Sequence, residues 1–476
     1  AFFVAGEARE RPLRAEVVAP WDGASLGECS LAGWDDLDDA LAAARAVFPR
    51  TVRLPTYVRQ AFLRALAARV RDDREGLAET MAREAAKPIG FARAEADRAV
   101  LTLTLAAEEA GRWGGSFVPL DHLPSTTGAA AVVTRTASGP VLAITPFNFP
   151  LNLVLHKLAP AFALGAPVVL KPAPQAPLTA LRLVGHVYAA CEAVPEVPKA
   201  ILSVVPCAVK DAQRMVDDPR PAVLSFTGSA KVGWALRARA GSKRVLLELG
   251  GNAAAIVLPD ADMDVALARI VTGAYGYAGQ VCIKVQRVLV HADVAERFTD
   301  GLVARSAAVE PVDPLRPEAL MSCLIDAAAG DRVRQWVGEA VAAGARVLLG
   351  GGGEGNRVAA TVLAGAGPGM KVYDEEVFGP VVTVETFNLL DEAVARVNAG
   401  RYGLQAGIFT RDLGAVTAAY RGLDVGGLVV GDAPTFRADA MPYGGVKDSG
   451  LGREGVRAAM EEMSEARTLV LRSFFA

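Results

Sequence analysis

A cysteine and a glutamate supply the first chemical clue. Cys282 closes the run Gly279-Gln-Val-Cys282, and Glu248 opens the run Glu248-Leu-Gly-Gly251 upstream of it. A thiolate adds to an electrophilic carbon, and a carboxylate can later take a proton from water. Such a pair outlines covalent catalysis at a carbonyl. An isolated cysteine is more often a small buried hydrophobe, so the other candidate residues must decide between the two.

Asn148 lies in Thr145-Pro-Phe-Asn-Phe-Pro150, just past an apolar strand. Carboxyl ends of parallel strands are where α/β folds place ligands. A carboxamide N–H there could hold a developing oxyanion, a contact worth about 3 kcal/mol in a transition state. Taken alone, the residue reads better as a turn former between prolines. Phe226-Thr-Gly-Ser-Ala-Lys-Val-Gly233 follows another strand. Ser229 can cap the helix starting there, and its exposed N–H groups can receive an anion. Lys171 ends the strand Val168-Val-Leu, where a lysine is either solvated or set to hold a nucleotide's hydroxyls and phosphates. Glu248 closes an apolar run. Partial burial there raises a carboxyl pKa toward neutrality and suits a base.

The elements that must position these residues are alternating strands and helices. Short apolar runs at 141–145, 168–171, 201–205, 222–226 and 245–248 alternate with helical stretches near 151–164, 177–191 and 230–240. Runs without polar alternation suit a parallel sheet buried on both faces. A second strand-helix series runs from Ala253 to about residue 430. Before both, residues 35 to about 113 read as helical: Asp35 or Asp36 can cap a helix burying Leu37, Leu41 and Phe48, and Leu63, Leu66 and Val70 continue the period. Residues 116–138 read as a projecting β-hairpin, and Thr468-Leu-Val-Leu471 as a strand seeking an edge. The glycine patch Gly350–Gly355 reads as a surface turn, because no Lys-Ser/Thr follows it.

Bulk properties narrow the class. The 476 residues exceed what one core supports, so two or more domains are expected. A formal charge of −3 and the lack of a basic run argue against nucleic-acid and membrane-surface roles. Cys29, Cys191, Cys207, Cys282 and Cys323 show no CxxC spacing, which suits reduced thiols in a cytoplasmic protein. The four histidines show no metal-ligand spacing, so no metal site is expected. The start turns polar too soon for a secretory h-region. The stretch 151–170 is interrupted by His156, Lys157, Pro160 and Pro167, so it reads as helix, turn and strand, not a membrane span.

Together the motifs resemble the aldehyde dehydrogenase superfamily over nearly the whole chain. The matching runs are 145–150, Leu170-Lys-Pro-Ala173, 226–233, Glu248-Leu-Gly-Gly-Asn252, 279–282, Glu376-Val-Phe-Gly-Pro380 and Pro442-Tyr-Gly-Gly-Val-Lys-Asp-Ser-Gly-Leu-Gly-Arg-Glu-Gly455. The resemblance implies an α/β fold of two doubly wound parallel-sheet domains plus a β oligomerisation arm. It divides the chain into a cofactor-binding domain (1–115 and 139–250), a catalytic domain (251–463) and an arm (116–138 and 464–476). It implies homodimers or homotetramers, NAD or NADP as cofactor, and an aldehyde as substrate. Cys282 is then the nucleophile. Asn148 and the Cys282 backbone N–H form the oxyanion hole, and Glu248 is the deacylating base. Lys157 and Glu454 match a proton relay. Thr145, Phe147, Lys171, Gly228, Ser229, Gly233, Glu376 and Phe378 match cofactor positions. The mechanism implied is a thiohemiacetal, oxidation to a thioester, and hydrolysis; a lowered thiol pKa is expected. Glu248 favours hydrolysis over acyl transfer to coenzyme A, and the intact Cys282, Glu248 and Asn148 argue against a catalytically silent relative.

Departures from the family pattern carry information. The family's Lys-Pro-Ala/Ser-Glu run ends here in Pro174. The missing glutamate normally binds the adenosine ribose and repels a 2′-phosphate, so NADP is expected to be tolerated or preferred. Cys207 replaces a small residue near the adenine. Lys284, two residues after the nucleophile, is expected to turn away from the site. Leu153, His156, Val281, Ile283, Phe436 and Tyr443 match the substrate tunnel. His156 and Arg437 could meet a hydroxyl or an acidic group. The pattern is closest in look to lactaldehyde, glyceraldehyde and phosphonate-pathway dehydrogenases, which suggests a small hydroxylated aldehyde or semialdehyde.

Overall fold

The computed structural model describes residues 1–472. Three sheets carry the architecture. The first has eight strands, and its centre is five parallel strands in the spatial order Leu202–Val204, Val168–Lys171, Val141–Ile144, Val223–Thr227 and Arg244–Glu248. The chain visits them third, second, first, fourth and fifth, which makes the sheet doubly wound. The strand order reverses between Val141–Ile144 and Val223–Thr227, paired from Val223↔Val141 to Phe226↔Ile144. Such a switch point is where an open α/β sheet leaves a crevice. The segments bearing Asn148 and Ser229 both leave from its carboxyl edge.

Alternation explains why these short strands are apolar throughout. Val141 and Ala143 pack into one core with the helices Thr56–Asp72, Ile89–Arg112 and Asn152–Leu164. Leu142 and Ile144 point to the opposite core, shared with the helices Trp34–Thr51 and Ala230–Arg239. Successive side chains face opposite sides of a sheet, so burial of both faces needs an unbroken apolar run. The second sheet repeats the logic: Ala255 and Val257 enter one core, Ala254 and Ile256 the other. It has seven strands, parallel except where Arg346–Leu349 meets Thr361–Ala364.

The third sheet is antiparallel. Ala130–Ala137 lies between Ser116–Pro119 and Ser464–Leu471, in register from Ser464↔Ala137 to Leu471↔Ala130. The arm expected from sequence extends to residue 476, and its last four residues, 473–476, lie outside the described residues.

Local details differ from expectation in three places. The first helix begins at Trp34, with Gly33 as its N-cap, so neither Asp35 nor Asp36 caps it. Asp36 instead accepts from the Gly33 N–H from inside the first turn and is buried against Arg9 and Arg11. The strands Phe2–Val4 and Glu7–Arg9 extend one edge of the first sheet, and three residues are too few for periodicity to announce. At the other edge Gly450–Leu451 pairs antiparallel with the Glu248 strand, Gly450 opposite Glu248. This late segment therefore returns to the first sheet, although it lies in the range assigned by sequence to the catalytic domain. The glycine patch folds into a small surface hairpin, Gly353–Glu354 against Arg357–Val358. Among the described residues, no helix is long and apolar enough to cross a membrane, and no group of three or more His, Cys, Asp or Glu side chains could hold a metal ion.

Candidate active site

A cavity of about 480 Å³ opens at the carboxyl edge of the first sheet and reaches the second. Cys282, Glu248 and Asn148 all line it, together with Phe147, Leu153, Gly228, Ser229, Glu376 and Phe378. Residues far apart in sequence are thus brought onto one surface.

The loop that carries Cys282 is held by its backbone. The turn Gly276–Gly279 precedes Cys282, and Tyr277, Ala278 and Gly279 are left-handed in succession, with φ of 55°, 54° and 70°. Left-handed non-glycine residues cost of order 1–3 kcal/mol each and persist only where surroundings force them. Here the Tyr277 hydroxyl donates to the Ala85 carbonyl at 3.0 Å, and the Gln280 carboxamide oxygen accepts from Ile325 N–H at 2.9 Å. A Cβ at position 279 would lie 2.4 Å from the Gly379 carbonyl oxygen, so only glycine fits. Asn148 donates through Nδ2 to the Gln280 carbonyl at 2.9 Å, which ties the carboxamide to the same loop.

The thiol is not predisposed to ionise by its setting, contrary to the sequence expectation. Burial pushes Cys282 up to about 11, opposed mainly by a hydrogen bond with Tyr443, whose oxygen is 3.0 Å from Sγ. Glu248 is buried, and one carboxyl oxygen has no partner. Burial, followed by the nearby Glu454 carboxylate, holds Glu248 well above the usual carboxylate range; Arg437 and Lys157 oppose this. Burial also works against Glu454, but Lys157, Arg437 and His156 outweigh it and keep Glu454 ionised. Two carboxyls near each other are driven apart in this way, Glu248 upward and Glu454 downward. Lys157 Nζ reaches Glu454 Oε1 at 3.2 Å and Ser225 Oγ at 3.1 Å.

Cofactor positions are spread along the same crevice. Ser229 is the N-cap of Ala230–Arg239 but makes no capping side-chain bond, so its hydroxyl faces the cavity it lines. Thr227 also lines the cavity, and its buried hydroxyl lacks a partner. A Cβ at Gly233 would sit 2.4 Å from a Leu249 methyl, so a side chain there would require Leu249 to move. Glu376 accepts from the Gly251 N–H at 3.2 Å, and burial raises it to about 7. Phe147 meets Phe378 edge to face, with centroids 6.0 Å apart. A crevice with an open helix N-terminus, an orphaned hydroxyl and an aromatic pair fits a dinucleotide. Thr145 and Lys171 are buried just behind, and burial lowers the lysine. Cys207 is buried near Lys171, and burial raises its thiol to about 12.

The expected substrate residues divide. Leu153 lines the cavity and Tyr443 touches the thiol. Val281 and Ile283 pack beside Tyr443 without lining it. Phe436 is 51% exposed on its loop and does not face the cavity; Gln405 instead binds its backbone carbonyl. His156 is buried and bonded to Asp439 at 2.8 Å, so the acidic group it meets belongs to its own chain. Arg437 is likewise engaged, donating to Glu454 Oε2 at 2.9 Å. Lys284 is turned away, as expected: its ammonium donates to the Val381 carbonyl at 2.5 Å. Arg332 lines the cavity beside Glu376 and was not foreseen, since a charged residue on an amphipathic helix ordinarily marks a solvated face.

Comparison with known proteins decides the family. The model of the aldehyde dehydrogenase family matches residues 7–469. The chain belongs to this family. The 3-sulfolactaldehyde dehydrogenase of Priestia megaterium is 39% identical over 470 residues, covering 98% of this chain and 97% of that protein. Among solved structures, aldehyde dehydrogenase 21 from Physcomitrella patens, in complex with the reaction product succinate, superposes with a TM-score of 0.97 at 37% identity, covering 99% of this chain and 98% of that one. The glyceraldehyde-3-phosphate dehydrogenase GapN from Methanocaldococcus jannaschii, complexed with NADP, gives 0.93 at 33% identity, covering 98% and 99%. The α/β aldehyde dehydrogenase fold and NAD(P)-dependent aldehyde oxidation read from the motifs both hold.

Proposed function

We propose that this aldehyde dehydrogenase oxidises a small hydroxylated aldehyde or semialdehyde to its acid by hydrolysis of a Cys282 thioester. The observation that carries this is the shared cavity of Cys282, Asn148 and a buried Glu248. Cys282 sulfur bonds to the aldehyde carbon, and the carbonyl electrons move onto oxygen. Asn148 Nδ2 and the Cys282 N–H receive that charge. When bound, the nicotinamide cofactor supplies the acceptor for the hydride of the aldehyde carbon. Once the acyl group is on sulfur, Glu248 takes a proton from water, and the hydroxide displaces the thiolate. Lys157 and Glu454 carry the proton onward.

Ser229, Gly228 and Gly233 would hold the pyrophosphate end, with Thr145 and Lys171 toward the adenosine. Glu376, Phe147 and Phe378 would flank the nicotinamide end. Pro174 in place of an acidic residue supports acceptance of NADP. The size of the cavity and the relatives' small, polar or anionic aldehydes support the substrate class. The separate parallel sheets support a cofactor-binding domain over 1–115 and 139–250 and a catalytic domain over 251–463, apart from Gly450–Leu451, which joins the first sheet; the antiparallel sheet supports an arm over 116–138 and 464–476. The arm's outer strand exposes Leu469 and Val470, which supports a homodimer or homotetramer. Five unpaired thiols support a reducing, cytoplasmic setting.

The test is purified protein with NAD or NADP and short aldehydes bearing a hydroxyl, carboxylate, sulfonate or phosphate, followed by nicotinamide absorbance. Reduced cofactor without coenzyme A supports the reading. Strict dependence on coenzyme A points to acyl transfer instead. Absence of both turnover and Cys282 alkylation points to a silent relative. Light scattering reads the oligomer.

A further inference from the structure

We propose that Tyr443 is a catalytic residue: its phenol donates a hydrogen bond to the Cys282 sulfur and holds the thiolate ready for attack. This rests on the thiol being the nucleophile, and it assigns Tyr443 a part in the chemistry in place of a wall of the substrate tunnel.

Geometry carries the proposal. The Tyr443 oxygen is 3.0 Å from Cys282 Sγ, within hydrogen-bond range for sulfur, and it is the one polar side chain bonded to that thiol among the described residues. Tyr443 is held from three sides. Its backbone pairs in both directions with Glu454, N–H to carbonyl at 2.8 Å and 2.6 Å. Its ring lies under the Arg437 guanidinium at 3.8 Å, and it packs with Ile283 and Leu404. A donor fixed this firmly loses little entropy on bonding and needs no rearrangement when charge develops on sulfur.

Electrostatics agree with the direction of donation. Burial keeps the phenol neutral, and the neighbouring sulfur adds to this, so Tyr443 keeps a proton to donate whenever the thiol ionises. The charged groups facing Cys282 are Glu376 and Glu248, which disfavour the thiolate, and Arg437, which favours it. Among these, the hydrogen bond from Tyr443 is the largest influence favouring ionisation. No lysine or histidine is bonded to the sulfur among the described residues; Lys284, the nearest lysine in sequence, is spent on Val381. The phenol is therefore the group that offsets burial. When sulfur attacks, the S–C bond forms and the negative charge passes to oxygen, so Tyr443 stabilises the reactant thiolate and again the thiolate that leaves on hydrolysis.

The test is the rate of Cys282 alkylation by iodoacetamide against pH, located by peptide mass spectrometry, in wild type and Tyr443→Phe. The phenylalanine keeps the ring contacts and removes only the hydroxyl. A hydrogen bond to a charged group predicts that the alkylation midpoint rises by about one pH unit. kcat/KM at pH 7 falls by roughly tenfold and recovers as pH rises. Should Tyr443→Phe fold poorly, site-specific 3-fluorotyrosine at 443 provides a more acidic phenol, which lowers the midpoint. Coincident alkylation profiles in all three proteins overturn the proposal. A shifted midpoint without oxidation of any aldehyde leaves Tyr443 as the thiol's donor and removes the substrate reading alone.

Discussion

Lys87 donates to the backbone carbonyl of Asn148 at 2.8 Å from a fully buried position. The same ammonium is ion-paired to Glu95, whose other oxygen accepts from the Leu151 and Asn152 N–H groups at 3.0 and 2.9 Å. One buried pair thus fixes both ends of the segment that carries Asn148, the proposed oxyanion donor. Replacing Lys87 with methionine strands the Glu95 carboxylate, and breaking a buried pair in this manner costs about 3–5 kcal/mol. Lys87→Met is expected to lower the denaturation midpoint and to reduce kcat/KM more than it raises KM. Unchanged kcat/KM in protein that remains folded would show that Asn148 does not depend on this pair.

Glu248→Gln separates the two halves of the reaction. The variant is expected to release a first equivalent of reduced cofactor and then stall, with steady-state turnover down by about 10²–10⁴-fold, the usual contribution of a general base. In the wild type, Glu248 has a raised pKa, so its basic form fills only as pH climbs through that value. Acyl-enzyme decay should therefore accelerate as pH rises through the raised range of Glu248, above that of an ordinary carboxylate, and its pH dependence should flatten in the variant. Rapid-mixing measurements of the burst and the decay check both statements.

Lys284 is a stability liability. Burial lowers its amine to about 7 from an ordinary 10.5, and the ammonium donates to the Val381 carbonyl. A lysine with a depressed folded pKa is protonated more readily in the unfolded chain between those values. Stability should therefore increase as pH rises from about 7 to 10.5, with the full cost present below 7. At about 1.4 kcal/mol per pH unit this cost is on the order of 5 kcal/mol. Lys284→Met is expected to raise the melting temperature at pH 7 and to flatten the profile above it. Thermal unfolding across that range checks the slope, and a lower melting temperature at pH 7 would contradict it.

Pro174 predicts the cofactor preference. Pro174→Glu restores a carboxylate beside the adenosine ribose, able to bond its hydroxyls and repel a 2′-phosphate. The ratio of kcat/KM for NADP over NAD is expected to fall by at least about tenfold, the effect of some 1.4 kcal/mol. A wild type already tenfold better with NAD would exclude the preference for NADP.

Much of this molecule was legible in its sequence because two kinds of signal are local. Apolar runs such as Val141–Ile144 announce strands buried on both faces, and Cys282, Glu248 and Asn148 sit in short motifs at strand ends. What escaped depends on contacts made across long stretches of chain. His156 and Arg437 looked available to a substrate, yet Asp439 and Glu454 neutralise them. Phe436 looked like a tunnel wall, but it is half exposed and does not line the cavity. The setting of the thiol was misread because burial, which sequence does not quantify, outweighs the favourable neighbours.

The pairing of Tyr443 with Glu454 has a consequence for how such a protein can change. These residues hold each other's backbone, and Arg437 touches both side chains. The segment that would be altered to admit a different aldehyde therefore also sets the nucleophile's hydrogen bond and the charge around the base. A change at Tyr443, Arg437 or Glu454 is expected to alter turnover together with whatever else it alters. Variants selected there for altered specificity should gain it slowly, with second changes elsewhere needed to restore speed.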